Sequence, residues 1–329
     1  MTNGRRQEAI AWARTHLPAG SWTEETVSSD ASFRSYYRLS SNKDSFVVMD
    51  APPEREPVAG FLDVARRLRD TGLHTPVIHA AEPGLGFVLL EDLGRTPYHH
   101  VLTVENADRL FGDAMRALAR MQLETSTAGL PLYDEALLQR ELALFPDWFL
   151  ARHWQVEASP AEQVIWADVC ELLTRAALRQ PQVFCHRDFM PRNLMVSEPN
   201  PGIIDFQDAV LGPISYDPVC LFRDAFLSWP ETRVDNWLED YRKAGLAAGL
   251  PMPESPEHWQ KTCDLMGVQR HLKVIGIFAR IRYRDGKPAY LEDTPRFFRY
   301  LQQAIARNTE LKLLGELLEC WRSRSQSTP

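Results

Sequence analysis

Cysteine is scarce and poorly placed for cross-linking: Cys170, Cys185, Cys220, Cys263 and Cys320 are scattered over 329 residues without a Cys-x-x-Cys pair. That pattern excludes a disulfide framework and a cysteine zinc site, and fits thiols packed in a core in a reducing compartment. No apolar run approaches the roughly 20 residues that cross a bilayer. Near the N-terminus, the short apolar stretch Ala9–Ala13 is flanked by Arg14 and His16, unlike a secretory signal. Basic charge is also in deficit, with 37 Lys and Arg against 44 Asp and Glu and a net charge of -7. Phosphate backbones select basic surfaces, so nucleic acid is disfavoured as a partner. Internal repeats and low-complexity segments are lacking. The expectation is a cytoplasmic protein with no membrane partner and no evident protein partner. It is large enough for two domains or one two-lobed unit.

The first hundred residues alternate helical and strand patterns. Arg5–Leu17 is amphipathic and stopped by Pro18-Ala19-Gly20. Arg34–Leu39 and Ser45–Asp50 read as strands of a hairpin around the turn cluster Ser40–Asp44. Val58–Thr71 reads as a helix ended by Gly72, followed by strands at Pro76–Ala80 and Gly86–Leu90. Helical periodicity dominates thereafter, over 104–123, 134–154, 161–179, 234–248, 256–284 and 295–318. Only Ser323–Pro329 reads as disordered. The expected architecture is α+β. A nucleotide-binding lobe spans residues 1–94, and a larger helical lobe at 95–329 carries the catalytic loop, the metal site and the acceptor pocket.

One stretch carries the chemistry. His186, Asp188 and Asn193 precede Asp205 in the order and spacing of a phosphoryl-transfer site. Asp188 is the expected base for an attacking hydroxyl. Asn193 and Asp205 are the expected magnesium ligands, two hard oxygens being enough because phosphate and water complete the shell. Taken singly, each is an ordinary cap or turn residue; the joint spacing is what points to chemistry. His186 is expected to pin the loop through hydrogen bonds.

His186-Arg187-Asp188-x4-Asn193 with Ile204-Asp205-Phe206 resembles the catalytic and metal-binding loops of the aminoglycoside phosphotransferase and choline kinase superfamily. The resemblance covers nearly the whole chain and implies a bilobal protein-kinase-like fold, ATP as phosphoryl donor and Mg2+. It places Glu91-Asp92-Leu93 at the adenine-contacting hinge, which makes Glu91 and Leu93 expected nucleotide contacts. It also implies that Asp217, at the start of a helix, hydrogen-bonds the catalytic loop from behind. Three strings, Val48–Pro53, Asp147–His153 and Gln269–Arg280, are similar to the bacterial anomeric sugar kinases acting on N-acetylmuramate and N-acetylglucosamine. That similarity implies phosphorylation of an amino sugar's C1 hydroxyl in peptidoglycan recycling towards UDP-sugar precursors.

One departure stands out. Kinase-like folds place a lysine on the third strand, but here the strand reads Phe46-Val47-Val48-Met49-Asp50. Either Arg34 or Arg38 is the expected substitute, or nucleotide binding relies on backbone and metal; an arginine at these positions otherwise reads as a solvated hairpin residue. The turn before them, with Ser32 and Phe33, is expected to lay backbone N–H groups along the phosphates. The acceptor is expected to be small, since eleven residues separate Asp205 from Asp217 and no Ala-Pro-Glu follows. From Glu231 onward 16 Lys and Arg face 13 Asp and Glu, which suits an anionic acceptor better than a polycation. Arg270, Lys273, Arg280 and Arg284 share a helical stripe, read either as a solvated face or as a cationic wall for a carboxylate. Asp208, Arg270, His271 and Lys273 are the expected acceptor-side residues; Trp148, Trp154 and Trp259 could stack on a sugar ring, although at helical spacing such residues are more often core, and they are assigned to neither. Two other readings stay open: a kinase of an aminoglycoside, choline or homoserine, and a nucleotide-binding pseudokinase scaffold.

Overall fold

The computed structural model describes residues 2–28 and 33–326. In chain order the elements are α1 (Thr2–Arg14), β1 (Thr23–Ser28), β2 (Ser35–Ser40), β3 (Ser45–Asp50), α2 (Ala59–Asp70), β4 (Ile78–Glu82) and β5 (Phe87–Glu91). Next come α3 (Tyr98–Val101), α4 (Ala107–Glu124), α5 (Glu135–Leu144), a π-helix at Phe145–Trp154 and α6 (Pro160–Leu178). The strands β6 (Gln182–Cys185), β7 (Leu194–Met195), β8 (Gly202–Ile203) and β9 (Val210–Pro213) follow. The chain then continues with α7 (Tyr216–Phe222), α8 (Glu231–Ala248), α9 (Pro256–Asp285), α10 (Thr294–Arg307) and α11 (Lys312–Gln326). No helix among the described residues is long and apolar enough to cross a membrane.

The chain forms two compact units, Met1–Ala117 with Pro191–Asp208, and Leu118–Met190 with Ala209–Pro329. Residues 95–117 and 191–208 thus group with the sheet, where a boundary at residue 94 was expected. The reason is hydrogen bonding: Val196 N–H donates to Thr96 and Ile203 N–H to His74, tying the β7–β8 hairpin to the first unit.

The first unit is built on an antiparallel sheet ordered β1-β2-β3-β5-β4. Strand β1, Thr-Glu-Glu-Thr-Val-Ser, escapes a hydrophobic reading because Thr23 to Val27 are exposed and it sits at the sheet edge, paired among the described residues to β2 alone. The expected β2–β3 hairpin forms in register from Ser35↔Asp50 to Ser40↔Ser45. Helix α1 covers one face, where Ala9, Ile10 and Ala13 meet Tyr37, Leu39, Val48, Phe87 and Leu89. Helix α2 buries Phe61, Val64, Ala65 and Leu68, one stripe at helical spacing.

The second unit is helical and packs around the 30-residue α9. The N-termini follow sequence signals: Ser159 and Glu162 form a reciprocal capping box on α6, and Ser255 accepts from the His258 N–H at the start of α9. Three expectations change here. The 134–154 pattern is not one α-helix, because Pro146 lacks the N–H that would continue the ladder, and a π-helix takes over from Phe145. The 295–318 pattern is broken at Asn308, which leaves helical geometry and donates its side-chain N–H to Asp264 and to the Ala304 carbonyl. Ser323–Gln326 are helical, held by a bidentate Arg324–Glu162 pair at 2.7 and 2.8 Å. Residues 327–329 lie outside the described residues. Trp259 is core, its Nε1–H bonded to the Leu238 carbonyl at 2.8 Å, and Trp148 and Trp154 pack on the main cluster.

Glycine is required where α9 meets the start of the π-helix: a Cβ at Gly276 would stand 2.4 Å from the Leu144 carbonyl carbon. Gly276→Ala is therefore expected to destabilise the protein by about 1–3 kcal/mol or more, since two helix backbones must separate. A denaturant melt measures this; an unchanged midpoint would contradict so close an approach.

Candidate active site

In the second unit, β6 delivers the chain into the loop that carries Asp188. Strand β6 pairs with β9 from Gln182↔Pro213 to Cys185↔Val210, and the loop begins at the fully buried His186. Its backbone is held by the buried Asp217 on α7. Oδ2 accepts the His186 N–H at 2.7 Å and Oδ1 the Arg187 N–H at 2.9 Å. This is the rear support expected of Asp217. Burial raises its carboxyl pKa, opposed by His186 and the two N–H groups. Arg187 adopts φ 73°, a conformation L side chains rarely take. The Asp188 N–H donates to His186 Nδ1 at 3.2 Å, so that nitrogen is unprotonated. His186 thus pins the loop, as expected.

The strained turn is clamped from the side-chain end by Glu141 of α5. Arg187 Nη2 lies 2.6 Å and Lys273 Nζ 2.8 Å from Glu141 Oε1. Tyr133 and Gln269 donate to Oε2, and Lys273 also donates to the Tyr216 hydroxyl at 2.9 Å. Burial alone would raise the Glu141 pKa, but Lys273 and Arg187 outweigh it and hold the carboxyl at about 2. Sequence reading missed this group. The one signal was an acid on the buried face of its helix, between Leu138 and Leu142.

Arg270, His271 and Lys273 are all buried, so neither a solvated face nor an open cationic wall describes them. Lys273 belongs to the Glu141 cluster. Arg270 donates to the Arg223 carbonyl. His271 stacks on Tyr300 at 5.0 Å, and burial, then Arg270 and Arg223, push its pKa well down, which keeps it neutral. On the same helix Arg284 remains exposed and pairs with its neighbour Asp285.

The first unit holds Asn193 and Asp205. Asn193 closes the 3-10 turn Pro191–Asn193, and its carbonyl accepts the Ile204 N–H at 3.1 Å. Its Nδ2 donates to Asp205 Oδ2 at 3.3 Å, while Gln207 donates to Asp205 Oδ1 at 2.9 Å. Asp205 sits at φ 63°, and the next residue, Phe206, is buried and stacked on Phe61 at 5.0 Å. Packing of Phe206 thus presents the Asp205 carboxylate at the surface. Asp208 is also exposed and receives a 3.4 Å bond from Gln207. One carboxylate and one amide oxygen form a hard-oxygen donor set that suits magnesium better than a transition metal. Among the described residues no cluster of three or more His, Cys, Asp or Glu could cage a metal.

The two candidate substitutes for the strand lysine part company here. Arg38 is committed: it grips Asp92 bidentately at 2.6 and 2.9 Å and donates to the Gly94 carbonyl at 2.8 Å. Against its burial, Arg38 and Ser45 keep the Asp92 carboxyl pKa low. Arg34 instead pairs with Glu56 at 2.8 Å, and both act on Tyr36, whose hydroxyl also feels Asp205. Arg34 and Asp205 thus both act on the Tyr36 hydroxyl, whereas Arg38 is tied to Asp92. Phe33 is exposed with Arg55 over its ring, and Ser32 lies outside the described residues. Glu91 ends β5 and accepts the Val77 N–H at 3.0 Å; Leu93 is buried.

The Glu141 cluster predicts a pH signature. A carboxyl held at about 2 in the fold against 4.5 ordinarily contributes stability that is complete above pH 4.5. That contribution is lost as pH falls towards 2. Glu141→Gln should cost about 3–5 kcal/mol near neutrality, because Lys273 and Arg187 lose a buried counter-charge. Its stability should also fall less steeply than the parent's below pH 4.5. Urea melts across that range decide; parallel curves would refute the assignment.

Comparison with known proteins identifies the family. The model of the family described as "Phosphotransferase enzyme family" matches residues 23–259. The chain is 53% identical over 326 residues to the N-acetylmuramate/N-acetylglucosamine kinase of Pseudomonas aeruginosa, covering 96% of each. It is 41% identical to the Neisseria meningitidis protein of the same name, covering 93% of each. Among solved structures, it is similar to spectinomycin phosphotransferase in complex with ADP and spectinomycin, with TM-score 0.65 and 12% identity over 92% of this chain and 98% of that one. The choline kinase of Streptococcus pneumoniae matches with TM-score 0.62 and 14% identity, over 91% and 98%. Those likenesses show the fold alone: α+β, with a small antiparallel-sheet unit and a larger helical one. The chain belongs to the phosphotransferase enzyme family.

Proposed function

We propose that this protein is a sugar kinase that transfers the γ-phosphoryl group of ATP to the anomeric C1 hydroxyl of N-acetylmuramate or N-acetylglucosamine. The observation that carries the reading is the Asp188 loop, held at its backbone by Asp217 and at the Arg187 side chain by Glu141. A scaffold without chemistry has no use for a strained, doubly anchored carboxylate turn. The names of the kinases from Pseudomonas and Neisseria supply the choice of sugar.

Asp188 orients the C1 hydroxyl and takes its proton as the oxygen attacks the γ-phosphorus. The bond from that phosphorus to the bridging oxygen breaks, and ADP leaves with the bond's electrons. The ring oxygen makes an anomeric hydroxyl more acidic than an ordinary alcohol, so one carboxylate is an adequate base. Asn193 and Asp205 are the residues that would hold magnesium, which when bound neutralises charge on the transferring phosphates. Arg34 contributes the phosphate-directed charge that the third strand lacks. Glu91 and Leu93 face the adenine, and Asp208 the acceptor side. ATP supply, the thiols and the proposed recycling role, in which the sugar 1-phosphate leads to UDP-sugars, are consistent with the cytoplasm.

Asp188→Ala should lower kcat at least about 100-fold while the KM for ATP changes little, because a base acts only in the chemical step. Unaltered turnover would sink the mechanism. Arg34→Ala should raise the KM for ATP about ten-fold, with the acceptor KM nearly constant. Steady-state kinetics test both, and an unmoved ATP KM would remove Arg34 from the nucleotide site. An ATP-consumption screen over amino sugars, aminoglycosides, choline and homoserine, with phosphorus NMR of the product, tests the acceptor. A phosphate on any oxygen other than O1 would overturn the proposed regiochemistry.

A further inference from the structure

The second unit contains a buried carboxyl group, one oxygen of which serves neither the fold nor the chemistry above. Helix α7 carries a line of contacts to the Asp188 loop. Asp217 accepts the His186 and Arg187 N–H groups, and one turn later Cys220 donates its thiol to the Arg187 carbonyl at 3.3 Å. Asp224 continues that spacing two residues past the helix end and is 1% exposed. Its Oδ1 accepts the Phe226 and Leu227 N–H groups, each at 2.8 Å. Its Oδ2 is buried and has no hydrogen-bond partner among the described residues. A buried carboxyl oxygen without a partner carries a desolvation cost, and burial raises the Asp224 pKa against the opposing pull of the Phe226 and Leu227 N–H groups and Arg270.

Arg270 is 2% exposed and bonds the carbonyl of Arg223, the residue that precedes Asp224. Of its five donors, one bond is seen among the described residues, from Nη1 to the Arg223 carbonyl at 3.3 Å. Burial opposes its charge, but Cys220, Tyr216, Asp224 and Asp188 together sustain it. Arg270 thus stands within electrostatic reach of both the base and the unpartnered carboxylate. Two under-used buried groups of opposite sign, next to a catalytic loop, have the make-up of a recognition site awaiting its ligand.

We infer that Asp224 and Arg270 form the acceptor-recognition pair. Asp224 Oδ2 accepts an O–H or N–H of the acceptor, and Arg270 donates to an oxygen next to that group. Adjacent hydroxyls, or an acetamido N–H beside a hydroxyl, present this complement; a quaternary amine presents neither half. The inference rests on reading Asp188 as the acceptor's base.

The test is steady-state kinetics of Asp224→Asn, which keeps an oxygen for the Phe226 and Leu227 N–H groups. The panel is N-acetylmuramate, N-acetylglucosamine, its 3-deoxy and N-propionyl analogues, homoserine and choline. The expected result is an acceptor KM raised about ten-fold or more, with the ATP KM within about two-fold. The variant should also lose part of the parent's discrimination between the sugar and its analogues. An acceptor KM within about two-fold of the parent's would overturn the pair. If the variant does not fold, hydrogen exchange on the parent decides. Acceptor should slow exchange at the Phe226 and Leu227 amides, and unchanged exchange overturns the pair. Should the parent turn over no amino sugar, the proposed function fails, and the pair is then judged by the same KM comparison on whichever panel member is used. Preference for choline would count against it.

Discussion

The Asp188 loop depends on the way one buried carboxylate, Asp217, holds two successive backbone N–H groups. Without that bond pair, His186 and Arg187 would have no reason to keep a turn in which Arg187 takes a left-handed conformation. Backbone N–H groups are indifferent to side-chain identity, so the support fixes where Asp188 stands without restricting what surrounds it. Glu141 adds the complementary restraint by holding the Arg187 side chain. Because the carboxylate is shared with Lys273, the anchoring of the loop and the packing of α5 against α9 are one electrostatic unit. A buried cluster of this kind is not a cheap source of stability. Its value here is conformational, since it over-determines a strained turn.

The first unit solves a parallel problem with different means. Asp205 also sits at positive φ, but it is placed by apolar packing, through the stacking of Phe206 on Phe61, and by the Asn193 amide. The missing strand lysine also becomes intelligible. Arg38 is taken up by the connector after β5, where it clamps Asp92 and the Gly94 carbonyl. Arg34 pairs with Glu56 just ahead of α2, and its charge, like that of Asp205, is felt at Tyr36.

Much of the fold was legible because its signals are local. The stripe Phe61, Val64, Ala65 and Leu68, the Ser40–Asp44 turn and the Ser159 and Ser255 caps depend on residues within one or two turns of each other. The errors came where distant residues override local preference. Asn308 breaks a good helical pattern because its amide is drawn to Asp264, 44 positions away. The tail reads as disordered by composition, yet Arg324 finds Glu162. Strand β1 has no hydrophobic signature, since an exposed edge strand needs none.

The site divides along the same line. The sequence by itself pointed to the reaction class, because Asp188, Asn193 and Asp205 lie on one short segment in the order and spacing of a phosphoryl-transfer site. It also disfavoured a protein acceptor, through the short interval to Asp217. Only the tertiary structure decided what the charges of α9 do. Arg270 and Lys273 share a stripe that sequence allows to be solvent-facing, but both are buried, each against groups more than 45 residues away. Whether a charge faces water or a partner is settled by long-range packing, and helical periodicity carries no information about it.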